Sequence, residues 1–487
     1  MPSVTVEQAI NLANEHYTAG RLAEAESVCR LILSVRTQHA DALNLLGAIA
    51  GRSGRLDLAT NFVRQALAAS PDNPGYHFHL GTLLKAQGDL DQAIACYQRA
   101  LALRPDYVQA YNNLANAWMG KGQIEHAIDC FQRALALHPR YAEAHNNLGA
   151  LLADQCRWDQ AIACFRAAIA INPSIGSAHH NLANVLLRLG DFSEGWMQYE
   201  WRWGCPGCPV RREFVQPAWT GSPAAGQAIL LTCEQGLGDT IQFIRYVPMV
   251  AERCRRVVVE CPAELLSLLR GAPGIAEAVQ QGNPLPAFDA HCSLASLPGI
   301  FGTTLRSIPA TVPYLAPDPT RVAAWSARLG ADPRLKVGLA WAGRAEHWND
   351  RNRSVALAVL APLASVPGIL FLSLQKGPAS QQAAAPPPGM ELVDHTADLH
   401  DFADTAALVA NLDLVISVDT AIVHLAGALA KPVWTLLPFC PDWRWLLDRS
   451  DSPWYPTMRL FRQSAAGDWA SVMNLVAGEL RQRLVHP

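Results

Sequence analysis

One spacing restricts this chain more than any other feature: positions 34 residues apart carry the same kind of side chain. Ala59, Ala93, Ala127 and Ala161 keep that step, as do Pro71, Pro105, Pro139 and Pro173, and Leu46, Leu80, Leu114, Leu148 and Leu182. Tyr97, Phe131 and Phe165 hold an aromatic position at the same step, and Tyr199 closes that series. A unit of this length holds two helices and a turn. Units that cannot bury an apolar face alone stack into a solenoid. The small residues let the paired helices approach, the aromatic fills the groove between them, and proline stops the second helix. Cys96, Cys130 and Cys164 keep the step too, so they are one packing position repeated and not a metal-binding set.

These positions are those of the tetratricopeptide helix-turn-helix repeat. About five repeats, the first degenerate, and a modified sixth unit fill residues 1–203. The sixth ends Gly195-Trp196-Met197-Gln198-Tyr199-Glu200-Trp201-Arg202-Trp203, an aromatic run expected to cap the solenoid and dock it on the next domain. Asn113, Asn147 and Asn181 recur at the repeat period, with Asn112 and Asn146 beside two of them. In the repeat frame this position faces the concave groove, where an amide ladder can donate to and accept from the backbone of an extended peptide. The ladder is similar to that in the repeats of protein O-GlcNAc transferases. The other reading is that these asparagines satisfy groups between neighbouring helices.

A chain of 487 residues exceeds what one core holds, and its 50% hydrophobic content gives each of several domains a core. Lys plus Arg is 39 against 42 Asp plus Glu, a balance that excludes a nucleic-acid or polybasic membrane partner. Residues 1–15 lack a basic region followed by an apolar core, so no signal peptide is expected. The most apolar later stretch, 406–430, is interrupted by Asp413, Asp419 and His424 and is no membrane span. Twelve cysteines without framework spacing read as reduced thiols, and the expected compartment is the cytoplasm. Cys205-Pro206-Gly207-Cys208 has no second pair to complete a zinc site and reads as a turn. It opens a Pro- and Gly-rich connector over 204–227.

From 228 the pattern changes to apolar runs alternating with amphipathic segments, which implies parallel, doubly wound sheets. The first run, 229–232, leads into Cys233-Glu234-Gln235-Gly236-Leu237-Gly238-Asp239, read as a buried strand, a tight turn and a helix start. Gly236 and Gly238 are expected to let the backbone turn and a ligand approach, with Asp239 at the carboxyl end of the strand. Further strands are expected at 257–260, 288–291, 336–343, 369–374, 414–418 and 431–437, and helices at 263–270 and 405–412. A Pro-rich segment, 309–319, divides the halves 228–320 and 321–487.

The stretch Glu234-Gln235-Gly236-Leu237-Gly238-Asp239-Thr240-Ile241-Gln242-Phe243 resembles the amino-terminal motif of heptosyltransferase-like glycosyltransferases of the family 9 type. It is closest to the form found in bacterial proteins that fuse tetratricopeptide repeats to such a domain. Ser417-Val418-Asp419-Thr420, with His424 four residues on, is similar to that family's Asp-Thr-Gly-x-x-His element, with Ala421 where glycine is usual. The resemblance implies a repeat solenoid followed by a GT-B fold of two Rossmann-like domains. It implies an inverting transferase without a bound metal or other cofactor, using a nucleotide-diphosphate sugar as co-substrate. Asp239 matches the family's general base, and Glu234 is the alternative.

A helix starting after a strand at Asp419-Thr420 offers N–H groups and a positive dipole end to the departing diphosphate. Arg351, Arg353 and Lys376 are candidate partners for phosphate charge. Thr420 and His424 share a helix face, and Trp341 and Gln375 are candidates to contact base or ribose. Trp443 and Trp445 are candidates to stack on sugar or base. The expected partners are the donor sugar and a protein or peptide acceptor in the repeat groove. Two other readings stay open: a protein-binding scaffold with an inactive transferase-like domain, and a transferase acting on a lipid-linked or polysaccharide acceptor.

Overall fold

The computed structural model describes residues 5–205, 210–347 and 349–485, so Cys208 lies outside the described residues. The chain divides into two compact units, Met1–Ala178 and His179–Pro487.

The first unit is a run of antiparallel helix pairs, typified by Pro74–Ala86 with Leu90–Leu103 and Ala142–Asp154 with Trp158–Ile171. Two repeated positions explain its regularity. A turn residue with positive φ joins the helices of each pair: Gly54, Gly88 and Gly122 take φ of 74°, 84° and 72°. In the next repeat Cys156 holds that conformation at φ 56°, where a side chain costs about 1–2 kcal/mol. The second position faces the aromatic. A Cβ on Gly81 would lie 2.8 Å from the Tyr97 ring, and one on Gly149 would lie 2.7 Å from Phe165. The prolines stand two residues beyond helices that end at Ala69, Leu103, Leu137 and Ile171.

The second unit opens with the end of helix Gly176–Leu189, helix Phe192–Tyr199 and the 3-10 turn Glu200–Gly204. Two parallel sheets follow. The first contains β1 (Ala224–Thr232), β2 (Cys254–Cys261), β3 (Glu277–Gln280) and β4 (Ala290–Ser293), in the order β3-β2-β1-β4. The second contains β5 (Leu335–Ala340), β6 (Ile369–Ser373), β7 (Leu392–Val393), β8 (Leu414–Val418), β9 (Val433–Leu437) and β10 (Met458–Arg462). Its order is β10-β9-β8-β5-β6-β7. Strands β6, β8 and β9 are buried along their whole length, as a parallel sheet covered on both faces requires.

Each order reverses once: between β1 and β4 in the first sheet, and between β5 and β8 in the second. Such switch points open a crevice at the carboxyl ends of the strands, which is where open α/β sheets bind ligands. The strand-bearing halves and residues 192–204 share one aromatic core. Trp196 meets Trp443 edge-on at 5.3 Å, and Trp443 packs on Phe243 and Trp454. Trp443 and Trp445, expected as candidates for stacking on a ligand, are core residues here, 2% and 0% exposed.

Candidate functional site

At the second switch point β8 ends in Val418, and Asp419-Thr420 leads into helix Ala421–Ala428. Thr420 caps that helix: its hydroxyl accepts from the Ile422 N–H at 3.3 Å and lies 3.1 Å from the Ser417 hydroxyl. Arg353 reaches in from the loop after β5 and donates to the Asp419 carbonyl at 3.1 Å. Gly343 makes this possible, since a Cβ there would lie 2.4 Å from the Arg353 guanidinium. Asp350 steadies the loop by accepting from Ser354, which in turn accepts from the Gly343 N–H at 2.8 Å. Arg351 is exposed beside it, and Lys376 donates instead to the carbonyls of Thr396 and Leu399 at 2.7 and 2.9 Å.

Asp239, on helix Leu237–Phe243 of the first half, belongs to the same polar cluster. One of its oxygens accepts from the Gly236 N–H at 2.9 Å, and the other pairs with the Arg444 guanidinium. Arg444 also donates to Asp442 at 2.8 Å and lies 4.3 Å above the Trp443 ring. Burial and the neighbouring Asp442 push the Asp419 carboxyl up to about 6, while Arg353 and Arg444 pull the other way. Burial also opposes the charge on Asp442, but the Arg444 guanidinium and N–H hold it below the usual carboxylate range. Burial, then Arg353, lowers the nearby His347 imidazole. Arg444, Asp442, His347 and Asp350 were not singled out from sequence. The one available signal was Pro441-Asp442-Trp443-Arg444-Trp445, two charges inside an aromatic run that must be buried as a pair.

A raised pKa means that the folded state binds a proton more tightly than the unfolded chain. Asp419 therefore contributes stability at low pH that is lost as pH rises through about 6. Asp419→Asn is expected to stabilise the fold at pH 8 by about 2 kcal/mol, with the difference fading below pH about 4. Denaturant titrations of both proteins at several pH values check this.

The first switch point holds Glu234. Its Oε1 accepts from Arg202 Nη2 at 3.0 Å and from the Ser293 hydroxyl at the end of β4. Arg202 is fully buried and also donates to Glu200 at 2.8 Å and Ser296 at 2.8 Å. Burial raises the Glu234 carboxyl, opposed by Arg202 and Ser293. Glu234 and Asp239, both candidate bases, thus have different partners. Tyr199 is close to both: Trp443, over which Arg444 lies, meets its ring edge-on at 6.4 Å, and Arg202 lies over its ring at 5.1 Å.

Several expected ligand contacts are elsewhere in the structure. Trp341 is completely buried in the core beneath β5. Gln375 is a buried clamp: its Oε1 accepts from the Trp341 and Ala342 N–H groups at 2.9 and 2.8 Å, and its Nε2 donates to the carbonyls of Ala342 and Lys376 at 2.9 and 2.8 Å. His424 is 5% exposed, bonds Tyr455 at 2.9 Å and stacks on Trp445. Burial pushes its imidazole well below the usual range. Neither Gly236 nor Gly238 has positive φ. Gly238 lacks a side chain because a Cβ would lie 2.9 Å from the His424 ring and 3.4 Å from Ala421 Cα. At Gly238 the close approach seen is that of one helix to another.

In the first unit Asn147 donates to Asn112 at 3.1 Å, and Asn112 donates to Glu143 at 3.3 Å. Asn113 is half-buried near Tyr97, and Asn181 is half-buried in the second unit. Part of the ladder therefore satisfies itself between neighbouring repeats.

Known sequence patterns agree with this division. Tetratricopeptide repeat patterns match residues 10–74, 81–122, 108–141 and 142–175. The pattern of Glycosyltransferase family 9 (heptosyltransferase) matches residues 396–439, the segment that carries β8, Asp419-Thr420 and β9. Protein FlbA of Caulobacter vibrioides is 30% identical over 329 residues, a match covering 61% of this chain and 54% of FlbA. The chain thus spans about half the length of that relative. Among solved structures, YrrB, described as a TPR protein with an unusual peptide-binding site, is 23% identical. That match covers 37% of this chain and 92% of YrrB, with a TM-score of 0.31. A thermophilic TPR protein of Thermus thermophilus, TTC0263, is 21% identical, covering 38% of this chain and all of that one, 100%, with a TM-score of 0.33. The chain carries tetratricopeptide repeats in its N-terminal part and a glycosyltransferase family 9 match in its C-terminal part. Together these support a glycosyltransferase-like protein with protein-interaction repeats. Among the described residues no helix is long and apolar enough to cross a membrane.

Proposed function

We propose that the second unit transfers a sugar from a nucleotide-diphosphate donor to an acceptor hydroxyl, and that the acceptor is a protein held by the repeats. The observation that carries this reading is the family 9 match at residues 396–439, which falls on the second switch point. There a helix N-terminus capped by Thr420 and the Arg353 guanidinium provide positive potential for a departing diphosphate. The two halves then act as a GT-B pair. Asp239 removes the acceptor proton as the hydroxyl attacks the anomeric carbon from the face opposite the diphosphate, giving inversion. The charge that develops is met by Arg353, Arg351 and the helix end, without a metal ion.

In the structure both Asp239 oxygens are engaged, so the base must first be released from Arg444. A diphosphate at Asp419-Thr420 supplies the competitor: it draws the Arg444 guanidinium toward the phosphates and frees the carboxylate. The same ion pair, with the closed packing of Gly238 on His424, favours a second reading, in which the transferase-like half is inactive and the repeats serve as a scaffold.

The two readings differ in an acceptor experiment with the full chain. Replacing Asn113 and Asn147 together by Ala is expected to lower sugar transfer to a protein acceptor at least several-fold while sparing hydrolysis of the donor. Equal loss of both would make the asparagines structural. Transfer and hydrolysis both absent in the wild-type chain would favour the scaffold.

A further inference from the structure

The turn that carries Arg444 contains a backbone outlier. Trp443–Trp445 is a 3-10 turn capped by Asp442, and Leu446 closes it with φ 53° and ψ −163°. That region of backbone space is populated almost only by glycine. Leu446 is nevertheless a leucine, and at 6% exposed its side chain is packed in the core. Two residues on, Asp448 also has positive φ, 51°, in a residue type that tolerates it better.

Strain of this kind persists only where the surroundings over-determine it. Here Arg462, the last residue of β10, does so. Its Nη2 donates to the Trp445 carbonyl at 2.5 Å and its Nε to the Arg449 carbonyl at 3.0 Å. One guanidinium thus ties the residue before Leu446 to a residue shortly after it. Both bonds go to backbone rather than to a carboxylate, and Nη1 of Arg462 is buried without a hydrogen-bond partner. On the opposite side Trp445 is fully buried and stacked on His424, which pins the start of the turn. An unmatched guanidinium N–H and a leucine in a glycine conformation are two local costs in one turn. The sheet does not account for them, since β10 is held on β9 by its backbone over Met458–Arg462.

What the turn presents to the site is Arg444. Its backbone N–H donates to Asp442 at 3.0 Å, its Nε donates to Gln242 at 2.5 Å, and its guanidinium pairs with Asp239. We propose that Arg462 is a positioning residue for the second switch point: by clamping the strained turn around Leu446, it holds Arg444 within reach of Asp239 and of a diphosphate at Asp419-Thr420. The proposal rests on the reading of that position as a diphosphate site. Glycine at 446 adopts the same φ and ψ without strain, so a turn with glycine there holds without its clamp.

The test is calorimetric titration of the full chain with inorganic pyrophosphate, with melting temperatures recorded alongside. The wild type is expected to bind, and Arg462→Gln to bind about tenfold more weakly, because the Arg444 guanidinium is no longer held in place. Leu446→Gly should keep the wild-type affinity within about twofold, although it lowers the melting temperature by removing a buried side chain. Adding Leu446→Gly to Arg462→Gln should bring the affinity back to that level while the melting temperature falls further. A clamp that served stability alone would instead make affinity follow melting temperature. Arg462→Lys keeps the charge and one donor, and it carries the same comparison if the glutamine variant does not fold: about a threefold loss, relieved by Leu446→Gly. Wild-type affinity in the Arg462 variants would overturn the proposal, and so would a double variant that binds no better than its Arg462 parent. Both results leave the diphosphate reading standing. A wild type that does not bind pyrophosphate would overturn that reading, and this proposal with it.

Discussion

Arg202→Met is expected to lower the unfolding free energy of the second unit by about 3–5 kcal/mol, the range for removing one partner of a buried ion pair. Arg202 is 0% exposed and joins the Glu200–Gly204 turn to both strand ends at the first switch point, through Glu234, Ser293 and Ser296. Methionine approximates the aliphatic stem but removes the guanidinium, which lies 5.1 Å from the Tyr199 ring and 4.4 Å from the Trp203 ring, and the Glu234 carboxylate loses its counter-charge. The loss should shrink as pH falls, because Glu234, already raised by burial, then takes up a proton instead of carrying an unpaired charge. Urea unfolding at pH 8 and pH 5 measures both effects. Adding Glu234→Leu to Arg202→Met should recover part of the stability, since a pair replaced whole by apolar groups costs far less than a pair broken. A loss under about 1 kcal/mol at pH 8 would mean that water reaches the pair.

Asp239→Asn is expected to reduce sugar transfer by about 10²–10⁴-fold, the usual contribution of a positioned general base. Donor affinity should not fall, because Thr420 and Arg353 stand on the other half of the unit and Arg444, no longer held by the carboxylate, is freer to meet the diphosphate. The amide keeps the hydrogen bond from the Gly236 N–H but gives up the charge that holds Arg444. Arg444 retains Asp442, so the stability cost should stay well below that of Arg202→Met. The split between rate and affinity separates a base from a structural pair. Transfer at the wild-type rate would remove Asp239 from the chemistry, and a parallel fall in donor affinity would make it part of the donor site.

The repeats were legible because each of their physical requirements recurs at a fixed step. One small residue lets the paired helices approach, one aromatic fills the groove between them, and one proline stops the helix. The strand, turn and helix around Asp239 were legible for a similar reason: a buried apolar run cannot continue through Gly236 and Gly238. Short edge elements were not. β3 and β7 are only partly buried and carry no long apolar run, and β10 is interrupted by Arg459 and Arg462. The site itself was read only in part. Asp419, Thr420 and Arg353 stand within one half, near the ends of neighbouring strands, so the order of motifs suggested their proximity. Asp239 and Arg444 are 205 residues apart and meet only because helices Leu237–Phe243 and Ala421–Ala428 pack together. The sequence carries no periodic trace of that contact. Trp341 and Gln375 were read as ligand contacts because they stand at strand ends, and His424 because it shares a helix face with Thr420, but such positions do not fix the direction of a side chain. The side chain of Trp341 turns into the sheet core, and Gln375 satisfies backbone groups left open where β5 and β6 part.

A nucleotide-diphosphate sugar bound at the second switch point, as proposed, should stabilise the chain measurably. Thermal shift of the full chain with UDP-, GDP-, ADP- and dTDP-sugars, on wild type and Asp419→Ala, tests it most directly. A ligand present at about 100 times its dissociation constant stabilises the folded state by roughly 2.7 kcal/mol. One donor is expected to raise the melting temperature of the wild type and not that of Asp419→Ala. No shift with any donor, or a shift that Asp419→Ala leaves intact, would contradict it.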